Sequence, residues 1–155
     1  MTVYQFELFA DYYQFHIQDE LAEDNLGNSW TQDAVDRLLA IAPGIVGVGT
    51  VRNMNVPVTL EICETEPETC FDDWDRVNEC SLEVKSGKIV IAGCTDYFPD
   101  AARIEIQPGT YRVRIYYKNL KNLNKDGLNG NDQYRVMLWP DTFKEVVVLK
   151  PYVKN

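Results

Sequence analysis

The chain has 155 residues, of which 45% are hydrophobic and 12% aromatic, a composition that favours one folded domain and excludes a disordered chain. Its formal net charge of −9 disfavours binding of the whole molecule to a nucleic-acid backbone. No apolar run approaches the roughly 18 residues that a membrane helix needs.

Apolar and polar residues alternate along the first part of the chain, in residues 4–8, 13–18 and 56–62. A period of two gives a strand one apolar face, so these segments are predicted to be half-buried strands, with His16 pointing outward. Pro57 lacks a backbone donor, so its strand is predicted to lie at a sheet edge or to begin at the proline.

One helix is predicted between these strands. Thr31 is a suitable N-cap, and Pro43-Gly44 is a helix stop. Apolar residues at positions i, i+3, i+4 and i+7 give the helix one inward face. That predicted face consists of Val35, Leu38, Leu39 and Ala42.

The second half of the chain is predicted to form further strands. Residues 82–91 and 102–117 each contain two alternating segments, and they are predicted to be hairpins that turn at Ser86-Gly87 and Pro108-Gly109. Residues 134–138 form another strand, and the unbroken run 146–149 is typical of a strand in the middle of a sheet. About nine or ten strands with one short helix predict a single antiparallel β-sandwich domain over residues 1–155, with a β-barrel as the alternative.

The cysteines and the N-terminus bear on the compartment. Cys63, Cys70, Cys80 and Cys94 lack the paired spacing of a zinc site and are interpreted as reduced, mostly buried thiols, with a disulfide as the alternative. The N-terminus has no basic segment before an apolar run, so we expect a cytoplasmic protein.

The loop of residues 122–133 imitates a calcium loop, with oxygen-bearing side chains at alternate positions and Gly127 sixth. Gln133 occupies the twelfth position, where such a loop needs a glutamate, and asparagine stands first. Asn, Asp and Gly are also the ordinary residues of long β-connections. The sequence therefore predicts no metal and no cofactor, and leaves calcium binding at this loop open.

Charge is distributed unevenly. Residues 1–36 contain eight acidic residues and no Lys or Arg, and residues 61–79 contain eight more against Arg76 alone. We expect acids from both stretches to gather on one exposed surface that binds a basic protein. The predicted partner-binding residues are Asp72, Asp73, Trp74, Asp75 and Glu79, with Asp19, Glu20, Glu23 and Asp24 as a second patch.

The segment 64–79 shows no alternation and is predicted to be a surface loop or a single helical turn. Phe71 and Trp74 within it have two interpretations: they pin the loop onto the sandwich, or they form a binding hot spot ringed by carboxylates. Arg112 and Arg114 share the outer face of one strand. They are predicted to pair with acids across the sheet, and an anion-binding face is the alternative.

Catalytic motifs are missing from the sequence. His16 is the only histidine, and no residue pattern sets a nucleophile beside it, so the chain is predicted not to be an enzyme. A hydrolase would need a clustered, buried pair of carboxylates. Another alternative is a sandwich that binds a small ligand such as a carbohydrate on Tyr12, Trp139 and Tyr116.

Several short motifs resemble those of the competence protein J family. They are Tyr13-Gln14-Phe15, Trp30-Thr31 followed by Ala34, Gly44-Ile45, Arg52-Asn53 and Gly109-Thr110-Tyr111. Members of that family look like inhibitors of a nuclease that acts in DNA uptake. The resemblance therefore implies a fold and a role as a nuclease inhibitor, which agrees with the acidic bias. Taken together, they lead us to expect acidic side chains that compete with nucleic acid for a basic active site. The segments 64–79 and 118–133 depart from the family pattern.

Overall fold

Two β-sheets form the molecule in a computed structural model that describes residues 2–153. Sheet A has six strands in the order β1-β5-β10-β9-β6-β11, and sheet B has five in the order β3-β4-β2-β7-β8. The elements in chain order are β1 (Thr2–Phe9), β2 (Gln14–Asp19), α1 (Gln32–Arg37), β3 (Leu39–Ala42), β4 (Ile45–Gly49), β5 (Asn55–Ile62), β6 (Arg76–Val84), β7 (Lys88–Gly93), β8 (Ala102–Glu105), β9 (Gly109–Lys118), β10 (Gln133–Pro140) and β11 (Val147–Lys150).

The inward faces of the two sheets share one hydrophobic core. Phe15 of sheet B packs edge-on against Tyr134 of sheet A, with 6.0 Å between the ring centroids. Tyr134 packs in the same way on Tyr117, at 5.9 Å. The strand pairs are antiparallel except for the parallel pair β5–β10. The predicted β-sandwich is therefore confirmed, and residues 2–153 contain eleven strands rather than nine or ten.

The helix is shorter than predicted. Thr31 does cap α1, because its hydroxyl accepts a hydrogen bond from the Ala34 N–H at 3.3 Å. The helix ends at Arg37 because Leu38 takes the left-handed conformation, with φ 61°. Leu39 and Ala42 belong to β3, and Val35 is 49% exposed, so the predicted inward face does not form. Short apolar runs suit helix and strand alike, so periodicity could not separate them here. In residues 2–153 no helix is long and apolar enough to cross a membrane.

Neither predicted hairpin forms. β6 lies in sheet A and β7 in sheet B, and likewise β8 lies in sheet B and β9 in sheet A. The glycines at both turns have positive φ angles, 77° at Gly87 and 154° at Gly109, and they carry the chain from one sheet to the other. The Ile106 N–H donates to the Gly87 carbonyl at 2.9 Å and ties the two crossings together.

The positions of two strands differ from those expected for their patterns. The apolar run predicted to be central forms β11 at the edge of sheet A, where Val147 and Val148 are 43% and 40% exposed. An apolar run by itself does not distinguish a central strand from an edge strand. β5 is an interior strand, and Pro57 lies near its start, ahead of Val58, where pairing with β10 begins.

The four cysteines are free thiols. Cys63 and Cys80 are buried, Cys94 is partly buried and Cys70 is exposed. Burial raises the pKa of Cys80 to about 12, which keeps this thiol protonated and unreactive at neutral pH.

Candidate functional site

A buried ionic cluster occupies the outer face of sheet A. Glu79 of β6 lies beside Arg112 and Arg114 of β9, with Oε1 2.6 Å from the Arg112 Nε and Oε2 2.9 Å from the Arg114 Nε. Arg112 and Arg114 are only 1% and 2% exposed. The predicted pairing of the two arginines with acids across the sheet is confirmed. Glu79, a predicted partner-binding residue, is occupied by these internal contacts.

The acidic segment, residues 64–75, crosses over this cluster, where Glu66 and the Pro67 carbonyl contact Arg114. Residues 76–79, predicted to belong to the same loop, form the start of β6 instead. Phe71 and Trp74 pack on Tyr116, with ring centroids 6.2 Å and 5.2 Å apart. The Lys150 ammonium donates to the Phe71 carbonyl at 2.9 Å. The two aromatic residues therefore pin the segment to the sandwich.

Because the acidic segment covers the outer face of sheet A here, the aromatic surface proposed to stack on a carbohydrate is not exposed. Trp139 and Tyr116 are 2% and 3% exposed, and they lie beneath the acidic segment, whereas Tyr12 is 69% exposed. The Arg114 guanidinium lies 4.7 Å from the Trp139 ring centroid. Trp139, Tyr116 and Tyr12 therefore do not form one ligand platform.

Two carboxylates of the acidic segment face solvent. Asp72 and Asp73 are exposed, and within residues 2–153 neither makes an ion pair. Asp75 differs, because its Oδ2 accepts the Leu120 N–H at 2.9 Å and so joins the segment to the chain after β9. Trp74 is half-buried, with the Lys118 ammonium 5.5 Å from its ring centroid.

The second predicted patch follows β2. Asp19 is 3% exposed and accepts hydrogen bonds from the Ser86 hydroxyl and from the Lys85 N–H at 3.1 Å. Glu20 pairs with the Arg103 Nε at 2.6 Å. The exposed members of the patch are Glu23 and Asp24.

Glu23 and Asp24 line a depression of about 320 Å³, which we call the acidic depression. Glu83, at the end of β6, adds a third exposed carboxylate. Leu21 in the same depression is 67% exposed. Exposed carboxylates grouped in this way complement a basic protein surface. No residue pattern pointed to Glu83, because only the fold brings β6 beside the residues after β2.

The two acidic regions lie at opposite ends of β6. Asp75 directly precedes this nine-residue strand, and Asp19 binds Lys85 and Ser86, which directly follow it. At about 3.3 Å per residue, the strand separates the two regions by about 30 Å. The two regions are therefore separate patches rather than one continuous patch, and their use as a single partner-binding surface stays a prediction.

A third region, the aromatic pocket, lies where β2 begins. It has a volume of about 470 Å³, and Tyr12 and Tyr13 at its rim are 69% and 55% exposed. Its lining includes Tyr12, Tyr13, Gln14, Trp30, Val35 and Leu38.

The backbone of this pocket is strained. Tyr12, Tyr13 and Leu38 have φ angles of 55°, 60° and 61°, and in residues 2–153 Asn119 is the only other non-glycine residue with a positive φ. Each such residue costs about 1–3 kcal/mol, and strain of this kind clusters at functional sites. The strain therefore marks the pocket as a candidate site. Sequence analysis named several of its residues separately, but it did not join them into one site.

Metal binding has no support in the part of the chain that the structure describes. No group of three or more His, Cys, Asp or Glu side chains in residues 2–153 is arranged to hold an ion. The loop 122–133 is closed by its own hydrogen bonds, including Asn124 N–H to the Asn129 carbonyl at 2.8 Å. The buried Asp132 at its end accepts from the Arg52 Nε at 2.5 Å and from the Tyr134 hydroxyl at 2.7 Å.

Comparison with known proteins identifies the family. The family model for competence protein J (ComJ) matches residues 7–139. The chain belongs to the competence protein J family. None of the curated proteins matches it.

Two solved structures have a similar fold. One is ComJ, an inhibitor of the DNA-degrading activity of NucA, from Bacillus subtilis, with 14% identity and a TM-score of 0.69 over 91% of this chain and 100% of that chain. The other is described as crocagin biosynthetic gene J, with 19% identity and a TM-score of 0.62 over 91% of this chain and 98% of that chain.

Motifs through which the chain resembles the competence protein J family meet in the aromatic pocket. Gln14 and Trp30 are 16 positions apart, and the Trp30 indole N–H donates to the Gln14 Oε1 at 3.0 Å. His16 lies 2.7 Å from the same oxygen through its Nε2. Burial lowers the pKa of His16, so its ring is neutral at pH 7. These contacts fix the orientation of the Trp30 side chain at the pocket.

Proposed function

We propose that this chain binds and inhibits a nuclease, and that it acts as a binding protein rather than as an enzyme. The observation that carries the proposal is the match of the competence protein J model to residues 7–139. The solved ComJ inhibits the DNA-degrading activity of NucA, and its fold aligns with 91% of this chain. We also propose a cytoplasmic location, where the four thiols would remain reduced.

The proposed contacts are acidic side chains that occupy the basic surface with which a nuclease binds DNA. The net charge of −9 supports a basic partner and opposes direct binding of nucleic acid. Asp72 and Asp73, beside Trp74, form one proposed contact, and Glu23 and Asp24 of the acidic depression form the other. The other four predicted residues are proposed to hold the two contact regions in place, because each already binds another part of the chain. They are Asp19, Glu20, Asp75 and Glu79.

The test is a titration of the chain into a DNA-degradation assay with a NucA-type nuclease from the organism that encodes it. We expect complete inhibition near one chain per nuclease. Two double variants, Asp72→Lys with Asp73→Lys and Glu23→Lys with Asp24→Lys, alter the net charge by the same amount. Each double variant should weaken inhibition about tenfold or more if its region contacts the enzyme.

The matched control is Glu105→Lys with Glu145→Lys, two exposed acids outside both regions that give the same change in net charge. This control should inhibit within about twofold of the unchanged chain. Failure to inhibit at a large molar excess would contradict the proposed function. Inhibition that no charge reversal weakens would leave the inhibitor role standing and contradict the acidic contacts.

A further inference from the structure

We infer that the aromatic pocket binds an arginine side chain presented by the partner protein. The inference deepens the proposed function, on which it rests for the identity of that partner as a nuclease. Three aromatic residues of the pocket carry it: Tyr12, Tyr13 and Trp30. A guanidinium group is planar and weakly hydrated, and it stacks on aromatic faces more readily than a lysine ammonium does.

The charge around the pocket favours a cation. Asp11 directly precedes the pocket residue Tyr12 and Asp36 directly follows Val35, and the residues that line the pocket include no Lys or Arg. The Asp11 carboxylate adjoins the backbone of the pocket residue Tyr12, because Oδ1 accepts the Tyr12 N–H at 3.1 Å and Oδ2 accepts the Thr95 hydroxyl at 3.0 Å. An apolar occupant would gain nothing from this carboxylate, whereas a guanidinium would.

The two arginines near the pocket in sequence are directed elsewhere. Arg52, two residues after the lining residue Thr50, pairs with the Asp132 carboxylate. Arg37 ends α1, and its Nε donates to the Leu39 carbonyl at 2.9 Å. Asp36, between Arg37 and the pocket residue Val35, is exposed and accepts the Gln32 amide at 2.8 Å. The intramolecular contacts therefore leave the pocket open to a cation from another molecule.

The pocket is also shaped in advance. The left-handed backbone at Tyr12, Tyr13 and Leu38 sets the positions of three lining residues, and Gln14 fixes Trp30. Ordering these groups before binding lowers the entropy that association would otherwise cost. Rigid, exposed aromatic residues are also the commonest strong contacts of protein interfaces.

The first arm of the test uses peptides and the isolated chain. Acetyl-Gly-Arg-Gly-amide is titrated in the millimolar range while the amide signals of Tyr12 and Tyr13 and the indole N–H of Trp30 are followed by NMR. We expect saturable shifts with this peptide and weaker ones with acetyl-Gly-Lys-Gly-amide. Acetyl-Gly-Leu-Gly-amide should not shift these signals. Equal shifts with the leucine peptide, or none with the arginine peptide, would overturn the inference.

The second arm uses variants in the nuclease assay. Tyr12→Asn and Tyr13→Asn remove the rings while keeping a residue that tolerates the left-handed backbone. Each should weaken both arginine-peptide binding and nuclease inhibition about tenfold. Phe143→Asn removes an aromatic side chain that is 65% exposed outside the pocket, and it should change neither.

The two arms separate this inference from the proposed function. Normal inhibition by a Tyr12→Asn chain that has lost peptide binding would overturn the docking of a partner arginine and leave the inhibitor role intact. A chain that binds the arginine peptide as described but inhibits no nuclease would contradict the proposed function and support the pocket as an arginine site for another partner.

Discussion

Asp132 illustrates how single residues tie this sandwich together. It is fully buried, and its carboxylate accepts from the Arg52 Nε at 2.5 Å and from the Tyr134 hydroxyl at 2.7 Å. The Tyr134 hydroxyl in turn accepts the Val51 N–H at 2.9 Å. These contacts join the end of the loop 122–133 to the chain after β4.

The change Asp132→Asn should therefore destabilise the fold strongly. It leaves the Arg52 guanidinium buried without a countercharge, which costs about 3–5 kcal/mol in the free energy of unfolding. Urea unfolding measures the loss. Asp126→Asn in the same loop is the control and should change the free energy by about 0.5 kcal/mol or less, because Asp126 is exposed. Equal losses for the two variants would contradict the role assigned to Asp132.

Asp19 makes stability depend on pH. Burial raises the pKa of its carboxyl group, but hydrogen bonds from the Ser86 hydroxyl and from the Lys85 and Ser86 N–H groups outweigh burial and hold the pKa below its ordinary value. A lowered pKa in the folded state stabilises the protein above the unfolded-state pKa of about 4, and this contribution is lost as the pH falls through the folded-state pKa.

We therefore expect Asp19→Asn to lower the free energy of unfolding at pH 7 and to differ less from the unchanged chain as the pH falls below about 4. Chemical unfolding at several pH values measures this difference. Asp24→Asn, at an exposed acid of the same patch, should show little difference at any pH. A difference for Asp19→Asn that is constant with pH would show that its charge does not stabilise the fold.

At the scale of elements, the crossings between the sheets replace the hairpins that alternation suggested. Alternation tells which residues of a strand face the core, and this was correct for β1, β2, β5 and β10. It does not name the strand that pairs with them. The same turn residues, Ser86-Gly87 and Pro108-Gly109, serve a sheet crossing as readily as a hairpin.

Gly87→Ala tests the first crossing. Gly87 has a φ of 77°, and a Cβ there would lie 3.3 Å from the Ile106 carbonyl oxygen. We expect a loss of about 1–2 kcal/mol in the free energy of unfolding from the backbone conformation, and more from the close contact. Gly127→Ala has a similar φ of 72° with nothing near its Cβ, so it isolates the backbone effect. A smaller loss at Gly87 than at Gly127 would contradict the packing described for the crossing.

For the whole molecule, the sequence predicted the family and the nature of the fold better than the site. Acidity and the motifs indicated a partner of opposite charge. The separation of the two acidic regions depends on the placement of β6, and Glu79 became internal because the register of β6 sets it opposite Arg114. The aromatic pocket depends on backbone angles at Tyr12 and Tyr13, which no residue pattern expresses.

Electrostatic attraction between the acidic chain and a basic nuclease should raise the rate at which the two proteins associate. With a net charge of −9, the chain should bind a basic nuclease faster at low salt than at high salt, because ions screen exposed charges. Stopped-flow measurement at several ionic strengths gives the slope of the association rate constant against ionic strength. The Asp72→Lys, Asp73→Lys chain should show a shallower slope than the unchanged chain. An association rate constant that does not vary with salt concentration would contradict electrostatic steering.

Competition with DNA is the most direct test of the proposed mechanism. Initial rates of DNA degradation are measured over a range of DNA concentrations, with the chain at several fixed concentrations. If acidic side chains occupy the DNA-binding surface of the nuclease, the apparent KM for DNA rises with inhibitor while kcat stays constant. A fall in kcat at constant KM, or no inhibition at any DNA concentration, would contradict the account.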